Sequence, residues 1–189
     1  MLTSEERAYL LRLARQAVEI AARGESLPPL ALNTVPERLR EPGCAFVTLT
    51  IQGELRGCIG ALEAYQPLAE DVFAHAYDAA RNDYRFPAVT PAEVARIQIE
   101  VSRLTTPVEL HYTAPAELLS ALRPGVDGVT LRDGSRRATF LPQVWEKLPA
   151  PADFLRALCQ KMGAQPNLWE RKILQVSTYQ VEAFCEGEP

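Results

Sequence analysis

Only two histidines, His75 and His111, occur in these 189 residues, and neither stands where general-base chemistry would need it. His75 shares a helical stripe with Leu68, Val72 and Ala79, the setting of a packed imidazole. His111 lies in a loop beside Tyr112, and nothing in the sequence pairs it with Cys58 or Ser102. A Cys-His or Ser-His-Asp arrangement would need an adjacency in space that the chain order does not supply. The four cysteines (Cys44, Cys58, Cys159, Cys185) form no CxxC pair and share no zinc-ligand spacing with a histidine. HExxH, a Walker-type phosphate loop and GxGxxG are all missing, and Gly125-Val126-Asp127-Gly128 reads as a turn before a strand. The expectation is no bound metal and no cofactor.

Long apolar runs are missing too. None approaches the roughly 18 residues that span a bilayer, and Met1-Leu2-Thr3-Ser4-Glu5-Glu6 has acid where a signal peptide would have base. A cytoplasmic protein that engages no membrane is expected, with its cysteines as free thiols and three of the four used for packing. Positive charge is short as well: the formal net charge is −4, which argues against general binding to nucleic acid. Neither hairpin carries an aromatic stacking pattern for RNA. Arg132, Arg136 and Arg137 cluster around one turn and read as a solvated hairpin tip.

What is present suffices for a globular fold. A chain of this length buries roughly 70% of its extended surface and needs no disulfide or metal staple. Thr3 and Glu6 have capping-box spacing, and Leu10, Leu13, Ala14, Ala17, Val18 and Ala21 continue at helical spacing to Gly24. Residues 25–42 read as a wrapping connection with one short helical turn. Two strands, 44–51 and 55–62, follow around a three-residue loop Gln52-Gly53-Glu54, a register that sets Ile51 opposite Leu55 and Val47 opposite Ile59. A helix from Pro67 to about Asn82 ends at Asp83-Tyr84-Arg85-Phe86-Pro87, since the residue before proline avoids the α region. A half-buried strand over 96–104, a short helix over 115–122 and a hairpin around Asp133-Gly134 come next. A helix over 153–162 and a strand over 173–184 close the chain. The fold class expected is α+β, mainly antiparallel sheet with flanking helices.

The stretch Leu55-Arg56-Gly57-Cys58-Ile59-Gly60 holds most of the chemistry. Arg56 and Cys58 share strand parity, and a cation near a cysteine favours the thiolate, which is the reactive form. Gly57 and Gly60 leave open backbone for a ligand or another segment. Asp83 and Arg85 sit in a turn pinned by Pro87, either as functional loop residues or as a charge pair that fixes the turn. Glu100 and Ser102 share one polar strand face, from which Glu100 could hold the Arg56 guanidinium and draw it away from Cys58.

These motifs, in their order, resemble the AMMECR family, the A component of the set called AmmeMemoRadiSam. The resemblance runs from about Ala45 to Glu186. It is carried by Phe46-Val47-Thr48-Leu49, the hexapeptide at 55–60, the pentapeptide at 83–87, Glu100-Val101-Ser102 with Leu104 and Pro107, and Gly125 to Gly128. Leu141-Pro142-Gln143-Val144 and Phe154-Leu155 through Cys159, Lys161 and Gly163 complete it. It implies one domain over 1–189, or one built of two interlocked subdomains, with lobes of unequal size and a cleft lined by the motif residues. That lining would comprise Arg56, Gly57, Gly60, Asp83, Arg85, Phe86, Glu100, Ser102 and Gln143 beside Cys58. The family often has Pro where this chain has Tyr84, which loosens the turn here. Its activity is not established, and its usual companions resemble Memo-like and radical S-adenosylmethionine proteins.

Two functions stay open. One is a component of a modification pathway that binds a small molecule, a peptide or a protein partner in the cleft. Arg56, Arg85 and Gln143 would then supply hydrogen bonds. The other is a cysteine-dependent enzyme with Cys58 as nucleophile or redox thiol, Arg56 and Arg85 as anion binders and Asp83 or Glu100 as proton acceptor. The lack of a histidine base, a metal set or a phosphate loop favours binding. Nucleic-acid binding comes third.

Overall fold

The computed structural model describes residues 1–187 and is α+β, with two antiparallel-based sheets and flanking helices. The chain divides into two compact units. Met1–Leu104 and the segment from Glu182 onward form the first, and Thr105–Val181 forms the second. No helix among the described residues is long and apolar enough to cross a membrane.

The first unit opens with α1 (Ser4–Ala22). Thr3 Oγ1 accepts the Glu6 N–H at 3.2 Å while Glu6 accepts the Thr3 N–H at 2.7 Å, which is the expected capping box. All six residues of the predicted stripe are buried. The wrapping segment makes two 3₁₀ turns, Leu32–Thr34 and Glu37–Arg40, rather than one. Then come β1 (Pro42–Ile51), β2 (Glu54–Gly60), the two-residue β3 (Gln66–Pro67), α2 (Leu68–Arg81), the single turn α3 (Pro91–Val94) and β4 (Ile97–Leu104).

The β1–β2 hairpin corrects the expected loop. Ile51 faces Glu54, so the connection is the two-residue turn Gln52-Gly53, with φ of 55° and 84°. Positive φ at both positions matches the twist of a two-residue hairpin. The register then slips: Thr50 faces Leu55 and Leu49 faces Gly57, leaving Arg56 as the extra residue of a bulge. Beyond it Val47 faces Ile59, the pairing that hydrophobic matching demands.

In the second unit β5 (Val108–Glu109), α4 (Pro115–Ala121), β6 (Gly128–Asp133), β7 (Arg136–Phe140), α5 (Pro151–Lys161), the single turn α6 (Leu168–Arg171) and β8 (Gln175–Tyr179) follow in order. Asp133 faces Arg136, so the turn residues are Gly134-Ser135, not Asp133-Gly134. Gly134 has φ of 61°, as the first position of a two-residue turn with glycine leading requires. The core of this unit gathers Leu118, Val129, Leu131, Phe154, Leu155, Leu158 and Val176, with Trp145 stacked on Phe154 at 3.7 Å.

The predicted closing strand over 173–184 is two strands, β8 and then β9 (Val181–Cys185). They belong to different sheets: the first runs β2-β1-β4-β9, with β3 beside β1, and the second runs β5-β8-β6-β7. The break falls at Gln180, whose carbonyl accepts the Thr105 N–H at 2.8 Å and whose N–H goes to Thr105 Oγ1 at 2.9 Å.

The first core lies between one face of its sheet and the helices α1 and α2. Val47, Leu49, Ile99, Val101, Leu10, Val18 and Val72 are fully buried there. Each such side chain contributes about 1.5–3 kcal/mol relative to exposure. Gly57 sits where β2 meets α2: a Cβ there would lie 2.2 Å from the Ala79 carbonyl oxygen. The first glycine of the hexapeptide thus gives passage to a helix backbone, not to a ligand.

Candidate functional site

β2 is the edge strand of its sheet, and at Cys58 both of its main-chain groups are engaged by side chains. The Cys58 N–H donates to Asp83 Oδ2 at 2.9 Å, and Arg85 Nη2 donates to the Cys58 carbonyl at 2.9 Å. Arg85 in turn grips Asp83 through Nε at 2.9 Å and Nη2 at 2.6 Å, and its own N–H reaches Asp83 Oδ1 at 3.2 Å. Asp83 and Arg85 therefore act as a substitute neighbouring strand for one residue, satisfying an edge that would otherwise stay open.

The Asp83 carboxylate is 3% exposed. Its pKa lies well below the ordinary carboxylate range, first because of the Arg85 hydrogen bonds and then the Cys58 and Arg85 amides, against the cost of burial. Arg85 is raised by the same pairing. The turn is closed by the Phe86 N–H to the Asp83 carbonyl at 3.0 Å, and the guanidinium lies 5.6 Å from the Phe86 ring centre. These bonds hold the turn with no proline at position 84. Tyr84 stands out from it 94% exposed.

The expected Arg56–Glu100 pair does not form. Arg56 donates instead to Glu93, from Nε to Oε1 at 2.8 Å and from Nη2 to Oε2 at 3.3 Å. Glu93 also accepts the Thr90 N–H at 2.8 Å and the Thr90 hydroxyl at 2.9 Å, as the capping residue of α3. The Arg56 hydrogen bonds, with the Thr90 amide next, lower its carboxyl to about 2. The bulge and this ion pair commit Arg56 to α3, and its charge is offset there. Glu93 was missed in the sequence, although Thr90-x-x-Glu93 is a legible capping box.

Cys58 is half-buried and in no disulfide, and its sulfur accepts the Thr48 hydroxyl at 3.4 Å. In register, Cys58, Thr48 and Glu100 form one row across β2, β1 and β4, and Gly60, Phe46 and Ser102 form the next. This is the sheet face turned away from the α1–α2 core. Ser102 Oγ donates to Glu100 Oε1 at 3.2 Å. Gly60 is required by Phe46, since a Cβ would fall 2.5 Å from its ring. The structure thus brings together Cys58, Asp83, Arg85 and Phe86 at the strand edge, and Cys58, Gly60, Glu100 and Ser102 on one face. Gln143 belongs to the second unit, exposed on the 3₁₀ turn Pro142–Glu146.

The histidines behave as their sequence positions imply. His75 is 6% exposed on α2, with Nδ1 3.1 Å from the Asp71 carboxylate. Asp71 is fully buried and also accepts the Ala45 N–H at 2.8 Å and Gln66 Nε2 at 3.3 Å. His111 lies in an exposed loop 4.0 Å from Glu109. Burial, with the Asp71 charge second, pushes the nearby Cys44 thiol up to about 11. No group of three or more potential metal ligands occurs among the described residues.

Comparison with known proteins supports the same assignment across nearly the whole chain. The AMMECR1 family profile matches residues 11–184. A protein of Thermofilum pendens is 37% identical over 205 residues, covering 100% of this chain and 93% of its own. One of Methanothermobacter thermautotrophicus is 37% identical over 186 residues, covering 98% and 96%. The crystal structure of an uncharacterized protein from Pyrococcus horikoshii is similar with a TM-score of 0.79 at 32% identity, over 100% of this chain and 95% of that one. This chain belongs to the AMMECR1 family, whose function is uncharacterised.

Proposed function

We propose that the turn at 83–86, together with Cys58 beneath it, is a docking surface for a peptide or protein partner, in a cytoplasmic modification pathway. One observation carries the reading: Asp83 and Arg85 clamp the strand edge and so fix the turn that presents an exposed Tyr84 between them. Tyrosine and arginine are the side chains that anchor interfaces most often, and a turn fixed before binding costs little ordering entropy. The site is also charge-compensated, since Arg56 is matched by Glu93 and Arg85 by Asp83. A partner recognised by hydrogen bonds and ring contact suits such a surface better than a bare anion.

The same compensation weighs against the second reading, Cys58 as nucleophile or redox thiol with Arg56, Asp83 and Arg85. Each arginine is already ion-paired with a carboxylate, which lessens the help it gives a thiolate, although Arg56 Nη1 is buried without a hydrogen-bond partner. The family's Memo-like companion is the partner to test, by calorimetric titration against the full chain. Binding should weaken at least tenfold in Tyr84→Ala and Arg85→Ala and persist in Cys58→Ala. Loss of the companion pathway's product on Cys58→Ala, with binding intact, would support the cysteine reading instead. Unchanged binding in both Tyr84→Ala and Arg85→Ala would remove the docking surface.

A further inference from the structure

The second sheet presents a polar face with its own cavity. In β6, β7 and β8 the residues Val129, Leu131, Ala138 and Val176 turn into the core of the second unit. Their neighbours line the opposite face, where pairing sets two rows. Gln175, Arg132 and Arg137 stand side by side in one, and Glu109, Ser177 and Thr130 in the other. With Pro107 these six enclose an open cavity of about 310 Å³. That is the lower end of the range for small-molecule sites.

Arg132 decides what the cavity suits. It is exposed at the wall, and its guanidinium makes no ion pair or hydrogen bond among the described residues. The adjacent carboxylate, Asp133, is already committed to Lys172 at 2.6 Å and to Arg136, so it does not serve Arg132. The other arginine of the wall, Arg137, is its direct partner across β6 and β7. Side chains so paired have roots about 5 Å apart, and Arg137 is itself engaged, so the guanidinium open to a ligand is that of Arg132. Thr130, Ser177 and Gln175 add two hydroxyls and an amide along the floor. Glu109 stands two strands from Arg132, about 10 Å away across the sheet. A hairpin tip that were merely solvated would not need a floor of hydroxyls beneath its cations.

We infer that this cavity binds a small molecule through an oxyanion, phosphate or carboxylate, held by Arg132 with hydrogen bonds from Thr130, Ser177 and Gln175. An arginine fork matches both groups bidentately. The remainder of the ligand extends toward Glu109, which favours a hydroxyl or ammonium there. This site is independent of the turn at 83–86 and stands or falls separately from it.

The test is an amide NMR titration of the full chain with inorganic phosphate in one arm and succinate in the other. Saturable shifts confined to Thr130, Arg132, Gln175 and Ser177 are expected in at least one arm, and the arm that saturates identifies the group. Arg132→Gln should raise Kd at least tenfold with the rest of the spectrum unchanged. Glu109→Gln should lower Kd about twofold, the screened repulsion of one charge across about 10 Å. Absence of saturation below about 10 mM in both arms overturns the site. Binding unaffected by Arg132→Gln, or unchanged by Glu109→Gln, marks an adventitious ion only and overturns it equally.

Discussion

Replacing Asp83 by alanine removes the acceptor of a buried edge-strand amide, and the structure sets the size of the loss. The Cys58 N–H donates to a carboxylate that is 3% exposed, and a hydrogen bond to a charged group is worth about 1.5–3 kcal/mol. The ion pair adds less, because the Arg85 side chain is 42% exposed and returns to water when released, which leaves about 0–1 kcal/mol. Local opening at Cys58 should therefore become easier by about 2–3 kcal/mol. That is a fall of roughly 30- to 150-fold in hydrogen-exchange protection of its amide. Asp83→Asn keeps the shape and loses the charge, so its loss should be smaller. The sign with pH follows from the direction of the shift. The folded-state carboxyl is depressed, so the contribution is complete above the ordinary carboxylate value of 3.8 and disappears as pH falls below it. Wild type should thus lose protection at Cys58 progressively as pH falls below about 4, while Asp83→Ala shows little further change. Equal protection of Cys58 in wild type and Asp83→Ala at pH 7 would refute the clamp.

Glu93→Gln should cost about 1–3 kcal/mol at pH 7 in urea unfolding of the first unit. The difference from wild type should close as pH drops from 4.5 through about 2, because the wild-type carboxyl is depressed by Arg56. Gly57→Ala places a methyl 2.2 Å from a carbonyl oxygen in helix backbone that has no side-chain freedom to yield. It should destabilise by about 1–3 kcal/mol or more, whereas Gly53→Asn, with open space around a φ of 84°, should stay within about 1 kcal/mol. Cys44, buried with its thiol pushed up to about 11, should resist iodoacetamide at pH 8 in the folded chain and react on unfolding, as read by peptide mass spectrometry.

Local signals were legible and partner choice was not. The capping box at Thr3 and Glu6 is four residues long and legible, because every atom it needs lies within one turn of chain. The β1–β2 register beyond Arg56 was also correct, but for an incomplete reason. A three-residue loop and a two-residue turn followed by a bulge place Val47 against Ile59 equally well, so the apolar pattern alone does not distinguish them. No proline or glycine interrupts 173–184, yet β8 and β9 pair into different sheets, since a strand signal does not say which strand lies alongside. Arg56 found Glu93, 37 residues away, for the same reason: the capping box that positions Glu93 is local, while its second partner is set by the tertiary fold.

The hexapeptide and the 83–87 turn are two motifs in the sequence and one unit in the structure, joined through the Cys58 main chain. That has a consequence for recognition. A partner adding a strand to an edge needs free N–H and C=O groups on it. At Cys58 both are already bound by Asp83 and Arg85, so strand addition at that position would have to displace a buried carboxylate from its amide. The side chains remain accessible where the backbone is closed: the Tyr84 ring, the outer edge of Arg85 and the half-buried sulfur. A partner docking at this edge would therefore have to read side chains.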